Sequence, residues 1–362
     1  MAVPFRRAAY LAASAVIAVG SLTACGANDA DDPGDSGDGD TAGGKIALLL
    51  PETKTTRYEA FDKPLFEAKV AELCSDCEVL YYNANQSDAT QKQQVDTAIN
   101  QQVDVMVLDP VVTDSAVAMV EDAQAAGIPV IAYDRFIEGA DYYMSFDNER
   151  VGELQAEALV EAMGDKGNIL MLNGSPTDPN AGQFKAGAHS VLDASGVKIL
   201  DGGEYDNPDW SPDNAQKFVS DKLSQFDPSE INGVYAANDG QAGGVVAALT
   251  GAGVPADKLP PITGQDSELA AIQRIVAGEQ YMTIFKSYFI EAEKAAEVAV
   301  QLANGEDVTG TTDFEGVPSF IFEPVVVKKD NVKTEIVDAG LFTAAEICTA
   351  DYADACKAAG IQ

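Results

Sequence analysis

Four polar pairs sit where apolar runs stop. They are Asp134-Arg135 after Pro129 to Tyr133, Asp147-Asn148 after Tyr142 to Phe146, Asn238-Asp239 after Gly233 to Ala237, and Gln265-Asp266 after Pro261 to Gly264. Asp beside Arg sets carboxylate acceptors next to a rigid fork of donors, a chemistry suited to a small polyhydroxylated ligand. Alone, Asp134-Arg135 reads equally well as a ligand clamp or as a surface ion pair closing a turn. Each of the other pairs also reads as an Asx turn or a helix N-cap. Four at one topological place favour a shared site, because open α/β sheets bind ligands beyond the carboxyl ends of their strands.

Two further clusters join donor and ring. Trp210, the single tryptophan, lies in the loop Asn207-Pro208-Asp209-Trp210-Ser211-Pro212, and Arg57-Tyr58 follows the loop after the first apolar run. An aromatic face can stack on the C–H face of a sugar while polar groups take its hydroxyls. Other chemistries lack residues. No P-loop and no GxGxxG opens a helix. The one histidine, His189, falls inside a helical stretch with no sequence-level partner for a Ser-His-Asp triad. A formal net charge of −35 disfavours nucleic acid. Carboxylate pairs abound in so acidic a chain, so paired-acid glycoside hydrolysis stays open on composition alone. No cofactor is expected, and no metal: there is no second CxxC and no cluster of His to make a zinc site.

These side chains need a frame. From Lys45 onward, apolar strand-like runs alternate with amphipathic stretches, which predicts parallel sheets covered by helices. The pattern restarts after Asp147-Asn148, so the 362 residues read as α/β, with two doubly wound lobes. Helices are expected at Val151 to Met163, Ala181 to Leu192, Ser267 to Ala277 and Tyr288 to Ala303, with a late strand at Ile321 to Val327.

Ahead of the lobes, residues 1–24 read as a targeting segment, with Arg6 and Arg7 before an apolar Leu11 to Val19. That run is too short to span a bilayer. Leu22-Thr23-Ala24-Cys25 resembles a bacterial lipobox, with lipidation of Cys25 expected; an ordinary cleaved signal peptide is the alternative. Residues 25–44, with six Asp and no large apolar side chain, read as a disordered tether. In an exported chain the remaining cysteines are expected to pair locally, Cys74 with Cys77 and Cys348 with Cys356.

The segments VIAYDR (130–135), SFDNERVGELQA (145–156), GSPTDPNA (174–181), WSPDNA (210–215), AANDGQAGG (236–244), TGQDSELAAIQRI (263–275) and AGEQYMTIFK (277–286) together carry a resemblance. The chain is similar to periplasmic sugar-binding proteins of the ribose/xylose type, the substrate-binding components of ABC importers. D-xylose-binding and multi-sugar-binding members are the nearest in pattern.

The resemblance implies a type I periplasmic binding protein fold, its two lobes joined by a three-strand hinge. The lobes fall at 45–147 plus 266–313 and at 148–265 plus 314–345, with an extension at 346–362. Arg57, Asp134 and Arg135 would bind a sugar from the first lobe, and Asp178, Asn180 and Asn238 from the second. Asp266 and Lys286 would act near the hinge, and Tyr58 and Trp210 would sandwich the ring. Lys54 and Glu52 are further candidates. Relatives usually have Trp at Tyr58 and Asn at Pro179, which leaves the particular sugar open. The implied protein is a non-enzymatic monomer. It is held by lipid on the outer face of the cytoplasmic membrane and delivers a monosaccharide such as D-xylose to an ABC permease. A sugar-sensing lipoprotein presenting ligand to a membrane receptor and a glycoside-processing enzyme are the alternatives.

Overall fold

The run Ile46 to Leu50 has no exposed side chain on either face, as expected of a strand sandwiched between two helical layers. The computed structural model describes residues 43–361. The targeting segment, Cys25 and the tether up to residue 42 lie outside them. Among the described residues no helix is long and apolar enough to cross a membrane.

The first lobe alternates β1 (Lys45–Leu50), α1 (Lys63–Leu73), β2 (Glu78–Asn83), α2 (Asp88–Asn100), β3 (Val105–Leu108), α3 (Thr113–Ala125), β4 (Val130–Tyr133) and β5 (Tyr142–Phe146). The second holds α4 (Asn148–Met163), β6 (Gly167–Asn173), α5 (Pro179–Leu192), β7 (Val197–Asp206), α6 (Pro212–Lys222), β8 (Gly233–Ala236), α7 (Asp239–Gly251), α8 (Leu269–Ala277) and β9 (Met282–Phe285). The chain returns through α9 (Tyr288–Ala303), β10 (Thr312–Phe314) and β11 (Val317–Phe322). It ends with β12 (Val325–Lys328), α10 (Ala344–Ile347) and α11 (Ala353–Ala358).

The first sheet runs β10-β11-β5-β4-β3-β1-β2, parallel except for the β10–β11 hairpin. In the second lobe β7-β6-β8 are parallel, and the segment Pro261–Asp266 bridges β8 to the β9–β12 pair through Val234–Ile262 and the Gly264–Ile284 bonds. Two apolar layers flank each sheet.

Strand pairing moves two of the expected lobe boundaries. The chain does not leave the second lobe at Gln265-Asp266. Positive φ at Asp266 (90°) and Ser267 (49°) folds it back into α8, whose Ile272, Ile275 and Val276 pack against Val327 and Ile336. The crossing comes after β9, at Lys286-Ser287. The third crossing is not at 313/314 either, because β11 pairs in parallel with β5 and so belongs to the first lobe. The single late strand expected at Ile321 to Val327 is two strands, parted at Glu323-Pro324, where proline has no N–H to give a ladder. The expected extension is no appendage: Ile347, Cys356 and Ile361 are buried against α8, and Phe342 meets Phe61 of the first lobe edge-on at 5.5 Å. Both local disulfides, Cys74–Cys77 and Cys348–Cys356, are formed.

In the second lobe α4 and α5 touch through glycines. A Cβ on Gly152 would lie 2.0 Å from the Phe184 carbonyl oxygen, and one on Gly187 would lie 2.0 Å from that of Glu149. Overpacking such a contact costs about 1–3 kcal/mol. Gly152→Ala is therefore expected to lower unfolding stability by that amount in urea titration; an unchanged midpoint would mean that the helices part freely.

Candidate functional site

The segments that follow β1, β4, β6, β7 and β8 at their carboxyl ends contribute to one cleft between the lobes. The lobes are closed on it so tightly that its free volume is about 20 Å³, far below the roughly 300–1,000 Å³ of ligand pockets. From the first lobe it is walled by Arg57 and Tyr58 beyond β1 and by Asp134 and Arg135 beyond β4. From the second come Asp178 and Asn180 at the start of α5, Trp210 before α6 and Asn238 before α7, with Asp266 and Lys286 toward the hinge. Ten of the eleven predicted ligand residues thus converge. Lys54 does not line the space. It reaches over the rim to pair with Asp209 of the second lobe, its side chain 40% exposed. Glu52 lies just behind the wall, accepting from the backbone N–H of Thr55. Asp147 is exposed and caps α4, as befits a crossing point.

The helix-cap readings hold as well. Asp178 accepts from the Asn180 N–H and Asn238 from the Gln241 N–H, so each side chain anchors its helix and faces the cleft at once. Pro179 occupies the first turn of α5, where a missing N–H costs nothing.

Arg57 sits deepest, 2% exposed, among three carboxylates. Its Nε and Nη2 donate to Asp62 at 2.9 and 2.7 Å, its Nη2 also to Glu291 at 2.7 Å, and its Nη1 to Asp134 at 3.0 Å. Little of the guanidinium remains for a ligand, so its main part is to hold Asp134. Tyr133 donates its hydroxyl to Asp62 from below. Asp134 takes a left-handed φ of 59°, which turns its carboxylate off the strand end into the cleft. Burial pushes that carboxyl up, but Arg57, Lys286 and Arg135 outweigh burial and hold it at about 2.

The two lobes grip each other through the same groups. Arg135 Nε lies 2.9 Å from Asp178 Oδ2, and the Asn180 amide donates to the Asp134 carbonyl at 2.9 Å. Lys286 is 3.2 Å from Asp266 and 3.8 Å from Asp134. Trp210, at φ 60°, donates its Nε1–H to Asp178 at 3.2 Å and meets Phe184 edge-on at 6.3 Å. Gly174 leaves room for the indole: a Cβ there would lie 2.0 Å from the ring.

Three lining residues escaped sequence reasoning: Thr55, Phe184 and Gln265. Phe184 was legible, since it stands four residues after Asn180 on the same helical face. Gln265 was seen in its pair but not carried into the site. Asp62 and Glu291, the acids that fix Arg57, stand on helical turns with no local signal. His189 stays away from the cleft, between Asp193 and Glu204. Among the described residues no group of three or more His, Cys, Asp or Glu is placed to hold a metal ion.

Burial raises the Glu291 carboxyl to about 8, with Arg57 opposing, and its Oε1 has no hydrogen-bond partner among the described residues. A carboxyl raised in the folded state binds its proton more tightly there than in the unfolded chain. Its contribution is full below the ordinary Glu range and is lost as pH rises toward about 8. Glu291→Gln, which keeps the neutral shape, should therefore gain stability relative to the parent between pH 5.5 and pH 8.5. Denaturant midpoints at the two pH values measure this; an equal difference at both would refute a protonated Glu291.

A family model described as "Periplasmic binding protein domain" matches residues 46–307. The D-xylose-binding periplasmic protein of Escherichia coli (strain K12) is 37% identical over 313 residues, covering 84% of this chain and 92% of that protein. A multiple sugar-binding periplasmic receptor of Rhizobium radiobacter is 34% identical over 282 residues, 71% of this chain and 80% of its own. Among solved structures, an ABC transporter solute binding protein from Clostridium phytofermentans with bound β-D-glucose superposes with a TM-score of 0.76. It is 27% identical and covers 84% of this chain and 99% of its own.

Proposed function

The chain belongs to the periplasmic binding protein family, and on that premise we propose that it is the extracytoplasmic substrate-binding component of an ABC sugar importer. Its ligand is a monosaccharide, D-xylose or a related aldose, held between the lobes. The family binds and hands over solutes, so the protein is not an enzyme. The observation that carries the reading is the convergence of ten charged, amide and aromatic side chains from both lobes on one narrow cleft.

The chemistry follows from hydroxyl groups, which both donate and accept. Across the cleft the charged groups pair with one another, Arg135 with Asp178 and Lys286 with Asp266. A sugar hydroxyl set between such partners accepts from the cation and donates to the carboxylate. A sugar lacking that hydroxyl leaves two buried polar groups unmatched, so a missing hydroxyl is penalised far more than an added methylene. Tyr58, Phe184 and Trp210 supply walls for the C–H faces. Sugar acids and sugar phosphates fit poorly, because the buried carboxylates around the cleft outnumber its cations.

Closure of two lobes about a hinge is a common way to trap such a ligand. The sugar favours the closed form only by its greater affinity for it, and that form is then the one a permease receives. The proposal includes a monomeric state, lipid attachment at Cys25 and residence on the outer face of the cytoplasmic membrane. Cys25→Ser should move the protein from the membrane fraction to the soluble fraction of its native cell; continued membrane retention would remove the anchor from this reading.

Ligand binding to the folded state raises the melting temperature. In a panel of pentoses and hexoses, D-xylose or a close aldose is expected to raise Tm, and Asp134→Asn to raise Kd by about 10- to 100-fold. No shift with any sugar in the panel would sink the proposal.

A further inference from the structure

One buried acid of the cleft has no task in the account above. Asp109 follows β3, and its backbone is pinned: its N–H donates to the Leu49 carbonyl at 3.0 Å and its carbonyl accepts from the Gln91 amide at 2.7 Å. Its carboxylate is fully buried, and neither oxygen has a hydrogen-bond partner among the described residues. The nearest cation is Arg135, whose Nε lies 3.4 Å from Asp109 Oδ1 and 2.9 Å from Asp178 Oδ2. That N–H satisfies neither carboxylate with hydrogen-bond geometry. One guanidinium nitrogen therefore stands between two carboxylates, one from each lobe. The rest of the fork is held within the first lobe, by the Pro110 carbonyl at 2.9 Å and the Tyr58 hydroxyl at 3.3 Å.

We propose that Asp109 is a positioning residue that competes with Asp178 for Arg135: it keeps the guanidinium aimed into the cleft while the lobes are apart and so holds the empty protein open. The inference rests on the reading of this cleft as a closing ligand site. When the lobes separate, Asp178 leaves with the second lobe, and Asp109 is the one carboxylate that stays beside the Arg135 Nε. On closure Asp178 takes over, and Asp109 is left as an orphan acid. Burial pushes its carboxyl well above the ordinary range, with Arg135 opposing, so a neutral amide is a close mimic of its closed-state form. Two consequences have opposite signs. Neutralising Asp109 removes the first-lobe carboxylate nearest the Arg135 Nε, a loss that falls on the open form because in the closed form the acid is already close to neutral. Neutralising Asp178 removes the reward for closing without ligand.

Small-angle scattering on the ligand-free protein tests this, with the radius of gyration of the closed structure as the reference. Asp109→Asn is expected to shift the closed-to-open ratio upward by about tenfold or more, which moves the radius toward the closed value. Asp178→Asn should move it away. If Asp109→Asn does not fold, Asp109→Ser is read in the same way. A merely structural role for Asp109 would leave the radius unchanged or enlarge it, and either result overturns the proposal. No sugar enters the measurement, so its failure is separable from a failed sugar panel: unchanged radii beside a sugar-induced Tm shift would overturn this inference alone.

Discussion

The interaction on which the rest depends is a surplus of buried acid over buried base. Arg57, Arg135 and Lys286 face Asp62, Asp109, Asp134, Asp178, Asp266 and Glu291, and each of these groups is at most 5% exposed. An ionised carboxylate removed from water without a partner costs several kcal/mol. Each cation is therefore shared among acids, and the geometry of the strand ends is what makes sharing possible. Arg57 spans three carboxylates because the turn Tyr58–Asp62, the end of β4 and the first turns of α9 all meet behind β1. Asp134 stays ionised at the bottom of a closed cleft because three cations surround it. Glu291, with one oxygen unmatched, takes up the imbalance as a proton.

The surplus also shapes how a ligand can enter the cleft. Arg135 already pairs with Asp178 and Lys286 with Asp266, so a ligand has to replace those partners. Binding exchanges one set of charge-assisted hydrogen bonds for another, and the net gain depends on how completely the ligand's hydroxyls match the pairs they separate. The aromatic walls act differently: they contribute area and exclude water while saying little about which hydroxyl is which.

Much of this was legible in the sequence, for a physical reason. A parallel strand buried on both faces is a continuous apolar run, and its abrupt end in Asp134-Arg135 or Asn238-Asp239 marks the sheet edge without ambiguity. What local pattern does not carry is which strand of a distant segment pairs with which. Gln265-Asp266 looked like a crossing because its polarity matches that of Asp147-Asn148, yet left-handed backbone at Asp266 returns the chain to the same lobe. Val317–Phe322 was misplaced for the same reason, since its partner β5 lies far back in the chain. Phe184 was within reach of helical spacing. Asp62, Asp109 and Glu291 were not, because in so acidic a chain a buried carboxylate and a solvated one look alike until the fold is known.

The β5–β11 pairing has a consequence for how the chain comes into being. Tyr143 is hydrogen-bonded into a ladder opposite Ser319, so the first lobe has an unfinished sheet edge until nearly the whole polypeptide exists. Pairing over such a separation closes a long loop and is slow to form. The leading half of the chain lacks one strand of its own lobe's sheet until β11 is present. The interleaved lobes thus leave completion of the first sheet to one of the last strands made.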